Sequence, residues 1–208
     1  MIKNILCFGD SNTWGLDPST GKRFDENTRW TARLAKKLGP DFNVIEAGQP
    51  NRTLINLPPF DGALCGVRYL KPYLEQYSLD VIIIALGTND LKKRFNLTPK
   101  QISQGLDCLI RKVTCFYDIN KQPKILILSP AYIKTVGPYK HIYQGAEFKN
   151  EAMSEQFKNV AFKNDALFFD LQSVVNVSPL DGIHMSTDGH YKIADAVFKI
   201  TRACFSLI

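Results

Sequence analysis

Residues 81–86, Val-Ile-Ile-Ile-Ala-Leu, form an apolar run with no polar position left to face water. A strand with one solvated face alternates, so a run without alternation has to be covered on both sides, as a central strand between two helical layers is. Four further strand-like runs lie at 2–8, 42–46, 124–128 and 166–169, which predicts five strands. Helical patterns separate them. Trp30, Leu34 and Leu38 recur at helical spacing until Gly39-Pro40 stops the pattern. Thr98-Pro99 is a cap followed by proline at the first helical position, with Ile102, Leu109, Val113 and Phe116 as the apolar face. Residues 147–162 predict another helix with Phe148, Ala152, Phe157 and Val160 or Ala161 inward, and 191–205 a last one with Ile193, Val197, Ile200 and Cys204 on one side. Strands alternating with helices predict a three-layer α/β/α domain with a five-stranded parallel sheet and right-handed crossovers. Segments 55–62, with Pro58-Pro59, and 130–146, with Gly137-Pro138, are left irregular, and loops of that length are more often lids or interface elements than spacers.

Composition narrows the classes. A chain of 208 residues with 45% hydrophobic content can fill one core, so a single domain over residues 1–208 is expected. Its longest apolar run falls far short of the roughly 20 residues a bilayer helix needs, so no membrane span is expected. The start, a lysine and a short apolar stretch ending in Gly9-Asp10, reads as a first strand rather than a signal peptide. Cys7, Cys65, Cys108, Cys115 and Cys204 are odd in number, lack C-x-x-C spacing and mostly have apolar neighbours. They predict buried free thiols in a reducing cytosol. The net charge of +6 is spread along the chain; its densest run, Lys92-Lys93-Arg94, reads as a solvated loop, and no nucleic-acid partner is expected.

Polar motifs follow the first three strands and precede the last helix: Gly9-Asp10-Ser11-Asn12-Thr13, Gly48, Gly87-Thr88-Asn89-Asp90, and Asp181-Gly182-Ile183-His184. Strand ends in a parallel sheet lie side by side, so residues distant in sequence can meet there. A serine hydroxyl needs a base in reach and that base needs a group to fix its tautomer. Ser11, His184 and Asp181 can fill those three parts, because a separation of three lets the carboxylate reach the imidazole within one turn. Negative charge on an attacked carbonyl oxygen needs preorganised donors. The main-chain N–H groups of Ser11 and Gly48 and the Asn89 amide are the candidates. His141 in the long loop and His190 beside Asp188 read as exposed polar residues. A phosphate cradle at the first loop is the rival reading, but Asp10 would put a carboxylate where the anion sits, and Asn89 and His184 would go unexplained. The G-x-S-x-G elbow of α/β-hydrolases is missing.

In that order, Gly9-Asp10-Ser11, Gly48, Gly87-x-Asn89-Asp90 and Asp181-x-x-His184 resemble the blocks of the SGNH, or GDSL-like, hydrolase family over nearly the whole chain. Gly9 to Gly15, Val44-Ile45-Glu46-Ala47-Gly48 leading to Arg52-Thr53, and Ser178-Pro179-Leu180-Asp181-Gly182 are similar to its cytosolic aryl esterase and acyltransferase branch. The resemblance implies a flavodoxin-like sheet, Ser11 as nucleophile, His184 as base and acid, Asp181 as its orienter, and Ser11, Gly48 and Asn89 as the oxyanion hole. It implies small acyl groups, no metal or other cofactor, and homo-oligomers built through the long loops. Asp10, Trp14 and Arg52 are placed with the substrate, Trp14 lining the acyl pocket, although a packed aromatic for Trp14 and loop bracing for Arg52 and Asp90 are equally in keeping with the pattern. Asn51 stands where that branch is expected to carry a second glycine; asparagine tolerates positive φ. The expected activity is hydrolysis of small acyl or aryl esters through an acyl-enzyme, with acyl transfer to an alcohol as a variant. Carbohydrate acetylesterase, thioesterase and a non-catalytic binding member of the fold remain as alternatives.

Overall fold

A computed structural model describes residues 2–55 and 65–205. Its five strands are β1 (Lys3–Gly9), β2 (Phe42–Gly48), β3 (Val81–Ala85), β4 (Lys124–Leu128) and β5 (Leu167–Phe169). All pair in parallel, in the order β2-β1-β3-β4-β5. That is the doubly wound, flavodoxin-like order, with the chain reversing direction across the sheet at β1 and β3. The helices are α1 (Ser11–Trp14), α2 (Trp30–Leu38), α3 (Gly66–Gln76), α4 (Pro99–Thr114), α5 (Ala146–Glu151), α6 (Met153–Lys163) and α7 (Thr187–Phe205).

The central run on β3 divides its side chains between two cores, as the missing alternation requires. Ile82 and Ile84 join Leu6 and Phe8 of β1 under Leu70, Leu74, Leu106 and Phe157 from α3, α4 and α6. Val81 and Ile83 join Ile5 and Cys7 against Trp30 and Leu34 of α2 and Ile193 and Val197 of α7. Each fully buried aliphatic side chain contributes roughly 1.5–3 kcal/mol, so Ile5 and Leu6 of β1 with Ile82, Ile83 and Ile84 of β3 supply a large share of the stability at the centre of the sheet. The Thr98-Pro99 start of α4 forms a reciprocal capping box with Gln101, and Gly39 ends α2.

Departures from the sequence reading have local causes. The helix expected over 147–162 is two helices that break at Ala152. The break changes the helical phase, so Phe148 is 81% exposed and Ala152 is exposed, while Asn150 points inward and accepts from Ile133 N–H at 2.6 Å. Phe116 lies beyond the end of α4 and is half exposed. α3 was not foreseen, because Pro72 sits inside it and Cys65 supplies no side-chain cap. The last helix begins at Thr187, earlier than expected, and so encloses His190. Cys7, Cys65 and Cys204 are buried free thiols, whereas Cys108 and Cys115 are exposed. Segment 130–146 is irregular up to Gly145 except for a 3-10 turn at Gly137–Tyr139. Of segment 55–62, residues 56–62 lie outside the described residues. Among the described residues no helix is long and apolar enough to cross a membrane.

Candidate active site

The sheet order brings the polar motifs together. Gly9 at the end of β1 is level with Gly48 on β2 and with Ala85 on β3, so the three following loops emerge at one edge. Asp10 caps α1 by accepting from Asn12 N–H at 3.0 Å, which turns the chain sharply and sets Ser11 on the first helical position. The first N–H groups of a helix have no carbonyl of their own turn to bond. α1 lies so close to β2 that a Cβ at Gly48 would come within 2.1 Å of Trp14 N; only glycine fits there.

Ser11 Oγ is 2.8 Å from His184 Nε2, and His184 Nδ1 is 2.6 Å from Asp181 Oδ2. Asp181 Oδ1 also accepts from the main-chain N–H groups of Ile183 and His184, at 2.9 and 3.0 Å. Burial raises the Asp181 carboxyl, but the hydrogen bonds from the imidazole and those two N–H groups outweigh it and hold it below its ordinary value. A carboxylate that stays ionised fixes Nδ1 as the protonated nitrogen and leaves Nε2 free to accept the serine proton. This is the arrangement in which a serine hydroxyl becomes a nucleophile.

The histidine loop is clamped from several directions. Ser178 N–H donates to His184 O at 2.7 Å, and Val177 and Met185 form an antiparallel bridge. Asn12 donates through Nδ2 to Ile183 O and accepts at Oδ1 from Met185 N–H, tying the serine helix directly to the histidine loop. Gly182 has φ +73°, and a Cβ there would meet Lys134 O at 1.9 Å, so the 130–146 segment packs straight onto this turn. Tyr139 from that segment meets the His184 ring edge to face at 5.8 Å.

Asn89 lines the same cavity. Its Nδ2 donates to Arg52 O at 3.1 Å, and its Oδ1 accepts from Tyr143 OH at 3.3 Å, which leaves one amide N–H uncommitted by these contacts. The cavity, about 180 Å³, is lined by Ser11, His184 and Asn89 with Tyr139, Tyr143 and Lys92 among its walls. Asp10, Trp14 and Arg52 are not among its lining residues. Arg52 is buried beneath it, donates from Nη1 to Gly9 O and Ala47 O, and stacks over Phe8 at 4.2 Å; it braces the loops. Asp10 is buried as the α1 cap. Trp14 is half-buried with Arg23 over its ring at 5.6 Å. Asp90 braces the turn after β3, accepting from Leu54 and Ile55 N–H.

Two readings of the sequence are corrected here. Lys92 is not part of a solvated run: only 7% exposed, it turns inward beside Asn51. His190 is fully buried, with Nδ1 accepting from Trp30 N–H at 3.3 Å and its ring against Phe24, and burial pushes its pKa down to about 4. His141 is exposed, as expected. Asn12, Tyr139, Tyr143 and the placement of Lys92 were not anticipated. Asn12 had a signal, a second amide right after the serine, whereas the tyrosines reach the site only through tertiary packing of an irregular loop. A larger cavity of about 440 Å³ lies at the other end of the sheet near Lys124 and Cys204, away from this chemistry. Among the described residues no three His, Cys, Asp or Glu side chains are grouped to hold a metal.

The chain matches the GDSL-like lipase/acylhydrolase family over residues 7–192. No curated protein matches it. Among solved structures, the native aryl esterase of M. smegmatis is 35% identical with a TM-score of 0.90, the match covering 97% of this chain and 99% of that one. Est24, a carbohydrate acetylesterase from Sinorhizobium meliloti, is 30% identical with a TM-score of 0.89, over 97% of this chain and 99% of the other. A putative arylesterase from Agrobacterium tumefaciens is 30% identical with a TM-score of 0.88, over 98% and 100%. The fold, the ordered motifs and the extent of these matches lead to one assignment: the chain belongs to the GDSL-like lipase/acylhydrolase family and is a carboxylic ester hydrolase.

Proposed function

We propose that this chain, acting as one catalytic domain, hydrolyses small carboxylic esters with short acyl or aryl groups through an acyl-enzyme on Ser11. The observation that carries this is the unbroken hydrogen-bonded series from Ser11 Oγ to His184 to Asp181 at 2.8 and 2.6 Å. Ser11 Oγ attacks the ester carbonyl as its proton passes to His184 Nε2, and Asp181 steadies the imidazolium through Nδ1–H. Charge on the carbonyl oxygen is met by the N–H groups of Ser11 and Gly48 and the free N–H of the Asn89 amide. The tetrahedral species collapses as His184 returns the proton to the leaving alcohol. Water then attacks the acyl-serine with His184 again as base, and an alcohol taking its place gives acyl transfer. Asp10 and Arg52 serve by shaping the loops under the substrate, and Trp14 by packing behind the serine turn.

A cavity of about 180 Å³ favours small acyl groups, being below the roughly 300 Å³ at which drug-sized sites begin. Carbohydrate acetates are the second reading, favoured by the similarity to Est24. The buried thiols Cys7, Cys65 and Cys204 support a reducing compartment such as the cytosol. Assembly into homo-oligomers is supported by exposed Val136, Ile142 and Leu180 on the segments around the site, and size-exclusion chromatography with light scattering checks it.

Purified protein is expected to release chromophore from 4-nitrophenyl acetate, and a fluorophosphonate probe to label Ser11 when mapped by mass spectrometry. Label on another residue, or a Ser11→Ala variant as active as the parent, rules the mechanism out. Profiling acyl chains of two to twelve carbons on one alcohol, with acetylated sugars alongside, separates the two substrate readings.

A further inference from the structure

The mouth of the cavity carries a charge pattern that ester hydrolysis does not itself require. Next to the catalytic cavity, and sharing Asn51, Lys92 and Ile142 with it, opens a wider hollow of about 660 Å³ also lined by Lys93, Arg94 and His141. None of the described residues lining it is acidic. Lys92 stands where the two spaces join. Its ammonium is largely buried, yet its hydrogen bond goes to a neutral acceptor, Asn51 Oδ1 at 2.7 Å, and it lies 6.0 Å from the centre of the Tyr143 ring. The carboxylates of Asp10 and Asp90 act on it only through space. An ammonium has three N–H donors, and one neutral acceptor leaves most of the cost of burying the charge uncompensated.

Asn51 is the residue that holds the Lys92 ammonium in place. Its φ is 65°, a left-handed conformation that glycine favours and asparagine tolerates. Glycine would suit the turn equally but would leave Lys92 without its acceptor. The side chain at position 51 is thus what aims a cation into the substrate's path. Burial draws Lys92 down to about 8, with repulsion from Arg94 in the same direction, so at neutral pH the ammonium is mostly charged.

We propose that the site takes esters bearing an anionic substituent, a carboxylate or a phosphate, seated against Lys92 with Lys93 and Arg94 as a positive rim. This rests on the esterase reading above and narrows its substrate class. An incoming anion gains the remaining N–H donors of the Lys92 ammonium, whereas a neutral ester gains no charge-assisted hydrogen bond there.

The test compares mono-4-nitrophenyl glutarate, charged on the acyl side, with 4-nitrophenyl butyrate, and 4-acetoxybenzoate, charged on the alcohol side, with its methyl ester. At least one anionic ester is expected to exceed its neutral counterpart in kcat/KM by about tenfold at low salt, and the excess to shrink as salt rises. The pair that shows the excess identifies the side of the ester that faces Lys92. The anionic-to-neutral ratio is expected to fall toward one in Lys92→Met and in the surface double variant Lys93→Gln/Arg94→Gln. No excess for either pair in the parent, or a ratio that both variants leave unchanged, overturns the proposal. Calorimetric titration of Ser11→Ala with monomethyl glutarate against dimethyl glutarate, and with 4-acetoxybenzoate against its methyl ester, gives a readout without turnover. In the pair that shows the kinetic excess the anion is expected to bind at least about tenfold more tightly, and equal affinity in both pairs overturns the proposal. Lack of hydrolysis of every ester would overturn the esterase reading instead, and the calorimetric arm keeps the two failures apart.

Discussion

Asp181 and Asp90 are both buried at the carboxyl edge of the sheet and both accept main-chain N–H groups, yet they depart from the ordinary carboxylate range in opposite directions. Burial raises both. At Asp181 the His184 imidazole and two N–H groups reverse the effect and lower it. At Asp90 the N–H groups of Leu54 and Ile55 offset burial only in part, the charge of Asp10 adds to it, and the carboxyl is pushed up to about 7. At Asp90 burial and the Asp10 charge outweigh the main-chain donors, whereas at Asp181 the directly bonded imidazole joins the main-chain donors and burial is overcome. The first acid is therefore equipped to steady a transient positive charge, and the second is a strut between the Leu54 turn and the turn after β3.

That contrast can be broken most sharply by rate. Asp181→Asn is expected to lower kcat on 4-nitrophenyl acetate by about ten-thousandfold, the cost of the wrong tautomer at the same geometry. Asp90→Asn should lower it by less than about tenfold, since a neutral amide can still accept from Leu54 and Ile55 N–H. Equal losses, with both variants folded by circular dichroism, would erase the distinction. Asn89→Ala should cost about a hundred- to a thousandfold in kcat with KM little changed, the loss expected of one oxyanion donor.

Stability against pH sharpens the same contrast. Asp90, raised from 3.8 to about 7, contributes stability that is full below pH 4 and is lost as pH rises through 7. Asp181, lowered, contributes above pH 4 and loses it as pH falls through its folded value. His190, lowered from 6.5 to about 4, runs against Asp90, contributing above 6.5 and losing it as pH falls through 4. The difference between parent and Asp90→Asn isolates the first of these. Urea unfolding should show the parent's advantage declining between pH 4 and 7 by on the order of a few kcal/mol; a difference that rises with pH contradicts the assignment. The smallest effect is expected for Tyr143→Phe, which removes the hydroxyl on Asn89 Oδ1. A loss of about three- to tenfold in kcat follows from one hydrogen bond of about 1 kcal/mol that orients the amide.

Much of the fold was legible because strand identity is a local property. The run at 81–86 could only be a doubly covered strand, and the start at Thr98-Pro99 and the stop at Gly39 were capping chemistry written in adjacent residues. The legible part failed where phase or context intervened. The break at Ala152 turned Phe148 outward, and Pro72 hid a helix whose stability comes from Leu70 and Leu74 packing on the sheet. In the site, Ser11, Asp181 and His184 were readable as residue types that need one another, and so was the Asn89 amide. Lys92 and His190 were misread, because a charged run and a histidine near a helix start say nothing about which way the side chain turns once the loops have packed.

The sequence by itself determined the parallel sheet and the residues that could form a serine-centred site, Gly48 among them, since periodicity and residue chemistry are carried by short stretches. Only the tertiary structure decided that Ser11 meets His184 across 173 residues of chain, that Tyr139 and Tyr143 wall the cavity, and that Lys92 faces inward on Asn51. The reason is that such contacts depend on strand order and on how an irregular loop settles over it. Both are set by the packing of the whole molecule and leave no periodic mark in any one segment.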